Sequence, residues 1–175
     1  GQHQTRGTNN DNRNRNMQLA CSALNGTVLN PGESLSFSSI LNTVSGFRSA
    51  PEDTGLDDTD QGGVTQVAST LYYAALLSDL NVNSRSNHSY LPSFIDYGLD
   101  AGKDLKLSNS TGYPIRIVAI CQGSSVSIPG VLDTTMAIRI WPMLWVTPPP
   151  TLTVMGCMPL MREMIHRMKA KVTSM

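Results

Sequence analysis

The sequence lacks a surplus of charge. Thirteen basic side chains meet thirteen acidic ones over 175 residues, for a formal net charge of zero. Nucleic-acid binders usually carry a basic stripe. Here the early cluster Arg6, Arg13 and Arg15 is diluted by Asn and Asp, so it reads as part of a solvated arm, and no nucleic-acid partner is expected. Long apolar runs are also missing. No stretch reaches the roughly 18 apolar residues of a membrane span, and the nearest, Met136–Val146, is short and broken by Arg139 and Pro142. No transmembrane segment is therefore expected in this chain. The chain opens in polar sequence with no signal peptide, which leaves room for a signal or anchor upstream in a longer parent.

Cysteine is scarce too. The three, at positions 21, 121 and 157, cannot all pair within one chain. Cys21 lies on the apolar face Met17, Ala20, Cys21, Leu24, and Cys121 follows the apolar run Ile115–Ile120. Both read as small core residues ahead of any redox or metal role, and their disulfide state stays open. No Cys-x-x-Cys or His-x-x-x-His spacing is present, so no zinc site is expected. No other metal or cofactor is expected either.

What is there divides at about residue 130. Residues 1–12 are polar and Asn-rich and read as a mobile arm. Residues 13–24 have helical spacing and stop at Asn25-Gly26. Pro31-Gly32 marks a turn, and Glu33–Ile40 alternates with Leu35 and Phe37 inward, which predicts a strand. Residues 42–62 read as loop. A second helix is predicted over about 63–79, with further strands over 81–88, 104–107, 114–120 and 124–128. Core positions predicted from these spacings are Leu19, Leu24, Phe37, Leu71, Ala75, Ile117 and Val126. Beyond about residue 130 come eight of the nine methionines and both tryptophans, while every tyrosine and phenylalanine precedes them. The tail contains Pro148-Pro149-Pro150, which must be extended, and a basic amphipathic pattern over 159–171. It reads as a terminal helix covering the core, a membrane-surface or partner helix, or a divergent, non-native end.

The most informative run is Gly62–Leu77, where a glycine pair opens into an apolar helix. The first N–H groups of a helix lack intrahelical partners, so the position favours an anion or a nucleophile. Thr65 stands where such a nucleophile would be placed. Asn87-His88-Ser89 and Gly98-Leu99-Asp100 follow in chain order. A nucleophile position, a histidine and an aspartate in that order outline a triad, in a layout similar to that of transglutaminase-like and NlpC-type cysteine peptidases. Gln66 is a candidate oxyanion donor, or equally a residue that bonds a loop backbone. The plain alternative is a helix whose Val67, Leu71, Ala74, Ala75 and Leu76 fill the core, with Asp100 capping a turn.

Four stretches carry a family resemblance: Asn12–Ala20, Leu24–Phe37, Gln61–Leu77 and Arg85–Ala101. In this order they resemble the VanW domain of vancomycin-resistance clusters and of many envelope proteins of Gram-positive bacteria, over about residues 8–130. The family run usually has three glycines, then Val, Cys and Gln. Gln61 stands at the first glycine and Thr65 at the cysteine. A threonine hydroxyl is far less acidic than a thiol, which implies a pseudoenzyme rather than thiol chemistry. The resemblance implies binding roles for Gly62, Gly63, Gln66, Arg85 and Tyr97 beside the candidate triad Thr65, His88 and Asp100.

These observations predict a single α+β domain, residues 13–130, with two helices packed on an antiparallel sheet. An irregular tail follows over 131–175. The resemblance implies an extracytoplasmic, cell-envelope-associated module. Its expected partners are cell-wall material (peptidoglycan) or envelope proteins, bound without turnover. The alternatives are a peptidoglycan-peptide hydrolase or transpeptidase-like enzyme working through Thr65, His88 and Asp100, and a structural spacer.

Overall fold

The structure is a computed structural model that describes residues 2–7, 9–53 and 55–129. The expectations for the tail over 131–175, including the helix over 159–171 and the proline triplet, lie outside the described residues, as does Cys157.

Helix α1 spans Asp11–Leu24. The Asn10 side chain caps it by accepting from the Arg13 N–H at 3.0 Å, satisfying one of the orphan donors of the first turn. It ends at Asn25, and the next residue, Gly26, has φ +84°. Met17, Ala20, Cys21 and Leu24 are buried as their spacing predicts, but Leu19 is only half-buried. Arg13 and Asn16 are fully buried on the same helix. The expectation of a solvated basic arm therefore fails at Arg13, whose charge is taken up by the groups described below.

Helix α3, Val64–Leu77, is the central helix, with α2 as a short turn, Phe37–Leu41, between the two. Helix α3 packs against α1. Val64, Val67, Ala68, Leu71, Ala74 and Ala75 join Met17, Leu24, Phe37, Leu107, Ile117 and Val126 in one core. The strands form small antiparallel sheets. Strand β1 (Gln2–Arg6) pairs with β10 (Ser125–Pro129), which pairs in turn with β9 (Ile120–Gln122). Strand β7 (Lys106–Ser108) lies between β3 (Ser34–Ser36) and β6 (Asn81–Ser84). Strand β2 (Val28–Leu29) pairs with β8 (Ile115–Arg116), and β4 (Ala50–Pro51) with β5 (Asp58–Thr59). The α+β class stands, with a third short helix and several small sheets in place of one.

Three local expectations are corrected. Residues 2–6 of the polar arm form β1; its ladder to β10 runs through main-chain groups and needs no apolar side chains, and Thr5 tucks its hydroxyl against Thr70 Oγ1 at 2.8 Å. The strand expected over 33–40 stops at Ser36, whose hydroxyl accepts from the Ser39 N–H and starts α2; Phe37 reaches the core from a helix instead. The strand expected over 114–120 is divided because residues 117–119 bond to the turn after α1. The Ile117 N–H donates to Thr27 O at 2.8 Å and the Ala119 N–H to Asn25 Oδ1 at 3.1 Å.

Candidate functional site

The site grows out of the start of α3. Gly62 is buried where a Cβ would run into the Ala50 carbonyl of β4. Gly63 has φ +89°, and a Cβ there would strike the Arg13 side chain. The glycine pair thus admits a close approach, and the approaching groups are this chain's own β4 backbone and α1 arginine. Asn16 ties the loop down further: its amide donates to Arg48 O at 2.7 Å and Gly62 O at 3.1 Å, and its carbonyl oxygen accepts from the Arg48 N–H at 2.8 Å.

An anion does occupy the N-terminus of α3, and it is Glu52. Its Oε2 accepts from the Gly63 N–H at 3.0 Å. Its Oε1 accepts from the Thr65 N–H at 3.1 Å and also from the Thr65 hydroxyl. Charge-assisted bonds of this kind at the positive end of a helix are the strong ones. Both partners are buried, Thr65 with 6% of its surface exposed. The Glu52 backbone carbonyl in turn accepts from Arg13 Nε at 3.1 Å and Nη2 at 3.0 Å. The guanidinium lies 5.7 Å from the Phe94 ring centre. Burial pulls the Arg13 guanidinium below its ordinary value, against the opposing pull of Glu52 and Asp53.

Asp53 continues the network. It accepts from the Ser93 N–H at 2.6 Å and from the Ser93 hydroxyl, fastening the loop after β6 to the loop after β4. The Tyr90 hydroxyl oxygen is buried without a hydrogen-bond partner among the described residues. Burial, with Glu52, Asp53 and Asp100 nearby, pushes its phenol up to about 12 despite Arg13. Arg13, Glu52, Asp53, Tyr90 and Asp100 thus act on one another within one electrostatic neighbourhood.

His88 and Asp100 do meet. Asp100 Oδ2 accepts from the His88 N–H at 2.6 Å and lies 3.2 Å from His88 Nδ1. The two side chains are 12% and 7% exposed, and the His88 ring lies tilted, 5.1 Å from that of Tyr90. Arg85 supports the pair from behind: Nη1 donates to Gly98 O and Asp100 O, both at 2.9 Å, and the guanidinium sits over the Tyr72 ring at 4.7 Å. Ser69 of α3 anchors the next residue, its Oγ accepting from the Ala101 N–H at 2.9 Å. Carboxylate contact at Nδ1 orients an imidazole.

The candidate residues thus separate into groups. His88, Asp100 and Arg85 form one connected unit. Thr65 is joined to Glu52, with no hydrogen bond to His88. Gln66 is fully buried and donates to Thr5 Oγ1 and Ser124 O, both at 3.1 Å, while its Oε1 is buried without a partner among the described residues. Tyr97 is 91% exposed. Sequence reasoning missed Glu52, Asp53 and Tyr90. The only available signal for the first was an acidic pair after Pro51, shortly before a helix start. Among the described residues no cluster of His, Cys, Asp and Glu is arranged to hold a metal ion. Nor is any helix there long and apolar enough to cross a membrane.

Comparison with known proteins bears on the whole of this region. The family described as "VanW like protein" matches residues 12–129. Among curated proteins, the "Uncharacterized protein YoaR" of Bacillus subtilis (strain 168) is 30% identical over 131 residues, which covers 69% of this chain and 43% of that protein. The chain therefore spans less than half the length of this relative. No solved structure matches.

Proposed function

The chain belongs to the VanW-like family, and from that premise we propose that it is a cell-envelope module that binds cell-wall material without turning it over. The observation that carries the reading is the Glu52 carboxylate on the N-terminus of α3, holding both the N–H and the hydroxyl of Thr65. A nucleophile at a helix N-terminus relies on the unpaired first-turn donors to stabilise negative charge. Here an internal carboxylate already takes those donors, and its charge opposes any alkoxide at Thr65. An external substrate would have to displace it. Recognition is assigned to the loop over 85–101. Arg85, Asp53 and Asp100 pin that loop from within, and it presents Leu91 (62% exposed) and Tyr97 (91%) outward. Rigid loops with an exposed aromatic suit binding at low entropic cost.

What supports the envelope location, and peptidoglycan as the ligand, is the family resemblance. The specific observation on the side of an enzyme is the His88–Asp100 contact, an oriented imidazole of the kind a general base needs. For a hydrolase, Thr65 must exchange Glu52 for His88.

Substituting Thr65→Cys tests the reading, since it installs the residue the family run usually has. Beside the Glu52 carboxylate and buried, the thiol should be alkylated more slowly than free cysteine, whose pKa is about 8.5. A second change, His88→Ala, should leave that rate unaltered. Alkylation faster than free cysteine, dependent on His88, would support the hydrolase reading instead.

A further inference from the structure

Cys21 sits in the last turns of α1 with 2% of its surface exposed. Cys121 sits in the middle of β9, the strand that packs against α1, and is half-buried. They are 100 residues apart in sequence, yet their sulfurs are 2.7 Å apart. Non-bonded carbon atoms rest at roughly 3.5–4.0 Å, sulfur is the larger atom, and an S–S bond measures about 2.05 Å. The separation lies well inside contact, so only a small movement divides the two thiols from a bond.

We propose that Cys21 and Cys121 form a disulfide that locks α1 to β9 in the oxidised protein. The oxidant is an external disulfide, either a small-molecule one or that of a thiol oxidoreductase. Cys121, the more exposed of the two, attacks it as the thiolate, forming a mixed disulfide and releasing one reduced thiol. Cys21 then attacks the Cys121 sulfur and displaces the second thiol, to which its own proton passes. In sum the chain gives up two protons and two electrons, and one external disulfide becomes two thiols. The neighbouring Cys121 thiol, with burial, pushes the Cys21 thiol up, which suits Cys21 to the second, intramolecular step rather than to first encounter. The bond closes a long loop and removes freedom from the unfolded chain. Such a bond persists in an oxidising compartment and opens in the cytosol. The proposal does not depend on whether the module binds cell-wall material.

The test uses the full chain with all three cysteines. The protein is treated with glutathione disulfide, denatured, alkylated with iodoacetamide, digested without reductant and read by mass spectrometry. The expected result is a peptide carrying Cys21 joined to one carrying Cys121, both unalkylated, with the same linkage retained in Cys157→Ser. Adding dithiothreitol to the oxidised native chain should lower its thermal midpoint by about 10 °C or more, and Cys121→Ser should show no such drop. Quantitative alkylation of both cysteines after oxidation, or a linkage of either to Cys157, would overturn the proposal. So would an unchanged midpoint.

Discussion

At the scale of single residues, Arg13 is the side chain on which the site depends most. It is fully buried, holds the Glu52 backbone through two nitrogens and faces the charges of Glu52 and Asp53. Replacing it with an apolar residue of similar length, Arg13→Met, leaves buried carboxylates without their compensating charge. The expected loss is about 3–5 kcal/mol in a urea titration, and a loss below about 1 kcal/mol would show that the carboxylates are compensated elsewhere. None of this was legible in the sequence. Arg13 stood among asparagines and read as solvated, because periodicity marks apolar faces and says nothing of a buried charge. Glu52 was hidden for a related reason. A carboxylate that reaches a helix from a loop twelve residues upstream has no spacing rule to reveal it. His88 with Asp100 was more readable, since two such residue types a short loop apart have few ways to avoid each other.

At the scale of elements, the two long helices and the strands β6, β7 and β10 were legible, while α2 and the strands β1, β2, β4 and β5 were not. The faces Met17, Ala20, Cys21, Leu24 and Val67, Leu71, Ala74, Ala75 follow the helical period and are buried as that period requires. Strands of two residues, such as β2, β4 and β5, offer too few positions for an alternation to stand out, and β1 is held by main-chain bonds that any sequence can make. Phe37 satisfied the alternation of a strand while belonging to α2, because a serine run capped a helix one residue earlier. The glycine pair admits internal groups to close approach, the Ala50 carbonyl at Gly62 and the Arg13 side chain at Gly63. That approach gives a contrast between two glycines. Gly62→Ala must move the Ala50 carbonyl, a backbone atom with little freedom, and should cost about 3 kcal/mol. Gly32→Ala has open space and only a positive φ to accommodate, and should cost about 1–2 kcal/mol. Chemical denaturation of the two variants checks this. Equal losses would mean that the β4 approach to α3 is not rigid.

At the scale of the whole molecule, the described residues are a small α+β unit in which two loops, one after β4 and one after β6, are fastened together over the start of α3. Glu52 plugs the helix N-terminus from the first loop, while Asp53 and Ser93 tie the first loop to the second. The second loop carries the oriented His88 and the exposed Tyr97. The relative in Bacillus subtilis is more than twice as long as the matched region. The measurement that tests the account most directly is co-sedimentation of the purified chain with insoluble Gram-positive peptidoglycan, with the supernatant assayed for released fragments. The account predicts that the chain pellets with the wall, that Tyr97→Ala weakens binding about tenfold or more, and that no soluble peptide or sugar fragments appear. Fragments released by the intact chain and abolished by His88→Ala would contradict it.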